Sequence, residues 1–198
     1  NNSPIDIDKL IEGTNEILTA NRNSLQLFDM LHSMRQFDDL TYVHSVNVAL
    51  IASILGQWLK FSEKDIRILT ISGLLHDIGK IMIPNEILTK PGKLTVAAVS
   101  YTHLHHEKCD GTGYPFGLKS DHIPAVAKII AIADVYDAMT SARVYRGALC
   151  PFEVIDTMYK DAFTKFEPEY ILPFLKIVAS SYINNDVRLS DGRIGKVV

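Results

Sequence analysis

The sequence predicts an all-α helical bundle with a short C-terminal β-hairpin, and three observations carry that prediction. Apolar residues recur at helical spacing from the N-terminus to about Asn184, and alternating strand patterns are scarce. After Asn185 the texture changes: Asp191-Gly192 separates two apolar-alternating runs in "VRLSDGRIGKVV", a hairpin signal. A chain of 198 residues has length for one substantial core and a small appendage. The organisation expected is an N-terminal helical extension over 1–36, a main domain over 37–184 and a hairpin extension over 185–198.

Helices are expected near residues 5–20, 24–36, 41–59, 63–78, 96–106, 124–141, 151–163 and 168–183. Ser62 followed by Asp65 resembles a capping box, and Pro124, Pro151 and Pro168 suit first-turn positions, where no backbone donor is required. Gly79 is placed to close the fourth helix. The stretch "KIMIPNEILTKPGKLT" that follows is broken by Pro84 and Pro91-Gly92 and reads as a loop with at most one short helix.

Composition narrows the partners. With 47% hydrophobic residues, 22% charged residues and a net charge of -3, the chain has no basic excess that would favour polymeric nucleic acid. An anionic ligand must be held by a local cluster. Cys109 and Cys150 form no CxxC or disulfide framework, which fits a reducing compartment, so the cytoplasm is the expected address. The longest apolar stretch, Val46 to Leu59, is too short to span a bilayer, and no signal core opens the chain; no membrane segment is expected.

Chemistry concentrates in a few positions. His76 and Asp77 adjoin near the end of "KDIRILTISGLLHDIGK"; adjacent helical side chains diverge by about 100°, so the pair shares one metal only near a helix end, or bridges two. Taken alone, the dipeptide is equally a capped helix terminus. His44 heads an apolar stripe with Val48, Ile51 and Leu55, where a lone histidine is more often a hydrogen-bonded core residue. Asp134 shifts the balance. It shares a face with Ala127 and Ile130, and a buried carboxylate needs a cation or several donors. His44, His76, Asp77 and Asp134 together offer N and O ligands suited to Fe, Mn or Zn.

His105 and His106 extend that set to a second ion, with Asp77 bridging, while His103, His32 and His122 are left outside the site. Two cations a few Å apart suit in-line phosphoryl displacement. Lys80 would hold a phosphate oxygen, or is a solvated helix-end lysine. Arg143 and Arg146, three apart, would grip a second phosphate, or form a solvated pair. Asp137, at i+3 from Asp134, would orient a water or Lys80, or serve solubility. Gly113-Tyr114-Pro115 reads as a stiff turn directly behind the double histidine.

In this order, "HSVNVA", "LLHDIGK", "HHEKCDGTGYP", "IIAIADVYDAMTS" and "RVYR" resemble the HD-GYP subgroup of the HD phosphohydrolase superfamily, from about Phe37 to Arg146. The resemblance implies an HD-domain-like helical bundle over 37–184. It also implies a metal-dependent phosphodiesterase that hydrolyses bis-(3'-5')-cyclic di-GMP to linear pGpG, and in some members to GMP, through a metal-bridging hydroxide. Carried over by position, the metal ligands are His44, His76, Asp77, His105, His106 and Asp134, and Lys80 matches the motif lysine; Lys80, Asp77 and, from its spacing, Asp137 are the expected catalytic groups. Gly113, Tyr114, Pro115, Arg143 and Arg146 fall at positions associated with the cyclic dinucleotide. Two divalent ions are implied, iron or manganese ahead of zinc. The partners implied are a fused or interacting sensor or receiver domain, and a homodimer is compatible.

Two departures mark the chain. Members place a helix carrying one more metal-binding histidine ahead of the double histidine, whereas here only "VAAVSYT" intervenes. Leu40 stands where some members carry a glutamate for a third metal, so two ions are expected. The competing readings are an HD phosphohydrolase acting on another cyclic dinucleotide or a guanosine polyphosphate, and a non-catalytic module that senses cyclic di-GMP or docks a protein. The Gly-Tyr-Pro run speaks against the polyphosphate.

Overall fold

In the computed structural model, residues 40–77, 104–141, 147–189 and 191–198 are described, the side chains from Val43 onward. Five helices carry this part of the chain: α1 (Leu40–Trp58), α2 (Glu63–Leu75), α3 (Ala125–Thr140), α4 (Pro151–Asp161) and α5 (Pro168–Ser181). Strands β1 (Asp186–Arg188) and β2 (Ile194–Lys196) follow. The helices expected at 5–20 and 24–36, and most of the one at 96–106, lie outside the described residues.

Helix α1 is the centre of the bundle. Every residue from Val46 to Gly56 is buried, so the helix is packed on all sides rather than along one stripe. Helices α2 and α3 pack directly on it, and α5 touches both α1 and α3. Leu50, Ile54, Leu55, Leu69, Ile129, Ile132, Ile171 and Phe174 are each at most 1% exposed and form one continuous core with Val154 and Met158 of α4. Phe174 sits edge-on to Tyr136, ring centroids 5.2 Å apart, which joins α5 to the helix that bears Asp134.

Local signals account for the helix ends. The Ser62 hydroxyl oxygen accepts from the Asp65 backbone N–H at 3.2 Å and its hydroxyl donates to the Asp65 carboxylate at 2.6 Å, a capping box at the start of α2. Pro151 and Pro168 stand in the first turns of α4 and α5, while Pro124 occupies the position just before α3. Helix α2 stops at Leu75, three residues short of the expected end, and His76 caps it. The expected helix over 96–106 ends differently: Leu104–His106 is a 3-10 turn. The hairpin forms as expected, with Asp186 opposite Lys196 and Arg188 opposite Ile194.

One close approach sets the spacing at the site end of the bundle. A Cβ on Gly73 would lie 2.6 Å from the Ala49 Cα and 2.8 Å from the Ala49 nitrogen, so α1 and α2 touch backbone to backbone one turn before His76. Nothing flexible stands there to yield. Gly73→Ala is therefore expected to lower folding stability by roughly 1–3 kcal/mol through overpacking, measured as a reduced midpoint of urea unfolding at unchanged slope.

Candidate metal centre

Four side chains from three segments converge at the end of the bundle. His44 comes from the first turns of α1, His76 and Asp77 from the end of α2, and Asp134 from the middle of α3. His44 Nε2 lies 3.1 Å from Asp134 Oδ1 and 3.9 Å from Asp77 Oδ2. His76 Nε2 lies 3.3 Å from Asp77 Oδ2 and 4.0 Å from Asp134 Oδ1. Donors about 2.1 Å from one ion stand about 3.0–3.4 Å apart at angles of 90–109° and about 4.2 Å apart when opposed. All four separations fall within that range. The adjacent His-Asp pair stands at the very end of α2, where His76 is the C-cap and Asp77 follows it in a turn.

Hydrogen bonds aim the imidazoles. His76 Nδ1 is 2.7 Å from the Gly73 carbonyl oxygen and donates to it, which leaves Nε2 to carry the lone pair. That Nε2 is buried and has no hydrogen-bond partner among the described residues. His44 Nδ1 is 2.8 Å from Asp137 Oδ2, again turning Nε2 inward. Asp137 is 1% exposed and is held in turn by the Asn47 amide at 2.8 Å and the Ser141 hydroxyl at 3.1 Å. The sequence reading gave Asp137 the orientation of a water or Lys80; its contacts here make it the residue that orients His44.

His105 and His106 bring a second donor group beside the first. Asp77, His105 and His106 can each offer one ligand atom, all mutually within 4.8 Å, as can His44, His76 and Asp77. Asp77 belongs to both groups. The rings run on continuously, His76 to His105 at 4.9 Å and His105 to His106 at 4.1 Å. Tyr114 then stacks on His106 at 4.7 Å and 26°, so one face of the tyrosine is committed to the site while half of the residue remains exposed. Gly113 permits this, since a Cβ there would lie 2.4 Å from the Lys108 nitrogen and 2.5 Å from the Glu107 Cα. The Tyr114-Pro115 bond is cis.

Burial and charge divide the histidines. For His44, burial opposes protonation, but Asp134 and Asp137 outweigh it and raise the pKa to about 9. For His105, burial, reinforced by His106 and His76, lowers the pKa to about 3, so the ring is a neutral imidazole at physiological pH. Asp134 is pushed upward by burial, yet the hydrogen bond from His44 and the surrounding imidazoles bring it below the usual carboxylate range. The site is thus ionised carboxylate facing imidazole.

A model of the HD domain matches residues 95–170. The chain is 35% identical over 190 residues to the cyclic di-GMP phosphodiesterase PA4108 of Pseudomonas aeruginosa, covering 83% of this chain and 46% of that protein. It is 35% identical over 150 residues to 3'3'-cGAMP-specific phosphodiesterase 3 of Vibrio cholerae, covering 64% and 33%. Among solved structures, the HDG"Y"P protein Bd1817 of Bdellovibrio bacteriovorus superposes with a TM-score of 0.60 at 20% identity, covering 86% of this chain and 61% of that one. This chain belongs to the HD-GYP family. It spans about half the length or less of these curated relatives.

HD domains are metal-dependent, and this HD-GYP chain has His and Asp groups that can hold metal. The 190 positions aligned with the Pseudomonas protein exceed the 83% of 198 residues they cover by about 26. About that many positions of the relative face no residue here, the length of a helix with its connections. No helix among the described residues is long and apolar enough to cross a membrane.

Of the residues singled out in the sequence, His44, His76, Asp77, Asp134, His105, His106, Asp137, Gly113, Tyr114 and Pro115 are described and surround this region. Lys80, Arg143, Arg146, His103 and His32 lie outside the described residues. His122 is exposed and pairs with Asp121 at 2.8 Å, away from the donor groups. Asn47 and Glu107 were not foreseen. Asn47 had a signal, a polar residue one turn after His44 inside an apolar run, which must find a partner when buried.

The two shifted histidines predict how the metal-free protein responds to pH. His44 has a higher pKa folded than its ordinary 6.5, so its contribution is complete below 6.5 and is lost as pH rises toward about 9. His105 has a lower one, so stability is lost as pH falls from 6.5 toward about 3. Urea unfolding of chelator-treated protein should therefore show greatest stability near pH 6.5. A flat profile between pH 6.5 and 9 contradicts the His44 pairing.

Proposed function

We propose that this chain is a metal-dependent phosphodiesterase that opens bis-(3'-5')-cyclic di-GMP to linear pGpG, with GMP as a further product. The observation that carries the reading is the meeting of two N/O donor groups at Asp77, the arrangement expected for a dinuclear centre. Similarity to the Pseudomonas protein named as a cyclic di-GMP phosphodiesterase supports the substrate.

In this reading His44, His76, Asp77 and Asp134 hold one ion, and Asp77, His105 and His106 hold the other. Mixed imidazole and carboxylate donors suit iron or manganese, which the reading places ahead of zinc. When bound, such a pair makes water a nucleophile near neutral pH and draws charge from the phosphate oxygens. The protein's own part is preparation. Asp137 and the Gly73 carbonyl hold His44 and His76 with Nε2 inward, and the buried walls exclude bulk water. Lys80 is assigned to a phosphate oxygen, and Arg143 with Arg146 to the second phosphate, where paired guanidinium groups suit bidentate contact. Gly113 and Pro115 shape the turn, and the face of Tyr114 turned away from His106 is assigned to a guanine or ribose. Free Cys109 and Cys150 support a cytoplasmic address. Residues 37–184 are the catalytic domain in this reading, flanked by extensions at 1–36 and 185–198, with a sensor or receiver domain or a second copy as partner.

A second reading, hydrolysis of 3'3'-cGAMP, is favoured by the 35% identity to the Vibrio protein named for that substrate. The two differ at one base, so relative kcat/KM on both dinucleotides decides between them.

Protein purified anaerobically with Fe(II) or Mn(II) should hydrolyse cyclic di-GMP, and His76→Ala and Asp77→Ala should remove measurable turnover. Metal counting should separate the shared ligand from an unshared one, since Asp77→Ala loses both ions whereas His106→Ala loses one. Stoichiometric metal without turnover of either dinucleotide overturns the enzyme and leaves a sensing or docking module. Asp137→Asn should weaken metal affinity about ten- to a hundredfold, read by titration with Mn(II).

A further inference from the structure

The geometry points to Glu107 as a positioning residue that, through the loop carrying Tyr114, sets the ring of His106 for the second ion; this rests on the dinuclear reading above. Glu107 follows the double histidine directly and is only 4% exposed, yet its carboxylate does not join either donor group. It folds back on the chain instead. Oε1 accepts the Phe116 backbone N–H at 2.6 Å and Oε2 accepts that of Leu118 at 2.8 Å. Hydrogen bonds to an ionised acceptor are shorter and stronger than neutral ones, and two of them clamp the far side of the turn.

The near side is closed by backbone. The Tyr114 N–H donates to the His106 carbonyl oxygen at 3.3 Å, and Gly113 lies flat against Glu107 and Lys108 where no Cβ fits. Between these two fastenings sits Tyr114, stacked on His106. A 3-10 turn of three residues gives His106 little support of its own. The stack adds a restraint on its ring, comparable to the one Asp137 gives His44 and the Gly73 carbonyl gives His76. Glu107 is the group that holds the stack in register.

A glutamine cannot replace the clamp, because its amide offers one acceptor oxygen and sets an N–H against one of the two backbone N–H groups. Titration with Mn(II), counting bound ions and reading each affinity, should find two ions on the unmodified chain. In Glu107→Gln the first should bind within about threefold of the unmodified chain, and the second about ten- to a hundredfold more weakly. Tyr114→Leu, at a half-exposed position, should reproduce the selective loss, while Tyr114→Phe should keep the second affinity. A residue with only a structural role would weaken both ions together, and that result overturns the inference. So does an unaltered second affinity in Glu107→Gln when the unmodified chain binds two ions. Should Glu107→Gln fail to fold by circular dichroism, equal second affinities in Tyr114→Leu and Tyr114→Phe overturn it. A single ion on the unmodified chain overturns the dinuclear reading, and this inference with it.

Discussion

Burial of carboxylates at the end of an apolar bundle is the constraint on which the rest of this structure depends. Asp77 and Asp137 are almost fully buried and Asp134 nearly so, on or beside helices whose other inward positions are mostly apolar. Leaving such charges unpaired would cost several kcal/mol each. The surrounding imidazoles and amides accommodate them: His44 spans Asp134 and Asp137, and Asn47 and Ser141 complete the surroundings of Asp137. In the metal-free protein a proton on His44 does what a bound cation would do, which is why its pKa is raised although the residue is buried.

That electrostatic arrangement is fixed by backbone events some distance from the charges. Gly73 lets α2 lie against Ala49, and the same glycine's carbonyl orients His76 three residues later. One residue thus sets both the helix spacing and the direction of a ligand ring. On the other side of the site, the segment from Cys109 to Ser120 is fastened to the beginning of α5. The Cys109 N–H meets the Lys165 carbonyl oxygen at 3.0 Å, and Lys128 lies 2.7 Å from Glu167 and 2.8 Å from the Ser120 hydroxyl. The loop behind the double histidine is therefore held at its base as well as at its tip.

Much of this was legible in the sequence because it obeys local rules. The capping serine, the two first-turn prolines and the Asp-Gly hairpin depend on a few neighbouring residues and appear where the pattern places them. Helical periodicity also marked Asp134 as inward. What the sequence withheld depends on contacts far apart in the chain. The Asp137–His44 bond joins residues 93 positions apart, and i+3 spacing from Asp134 could not tell a water-orienting carboxylate from one bonded to α1. The early end of α2 is of the same kind: the pattern favoured helix through residue 78, but the helix ends at Leu75 with His76 as its cap. Glu107 was hidden because a glutamate in a glycine-rich loop looks solvated until its backbone partners are known.

The two donor groups are unequal in how they are built, and that bears on how the site works. His44, His76 and Asp134 stand on or at the ends of packed helices, whose side-chain directions are set by the same core that stabilises the domain. His105 and His106 stand on a short turn, with the Glu107 clamp behind it and Tyr114 stacked on His106. Burial keeps the His105 ring neutral. The rigid features gathered behind the double histidine, the buried Glu107, the close approach of Gly113 and the stacked Tyr114, hold that turn against the loop that follows it.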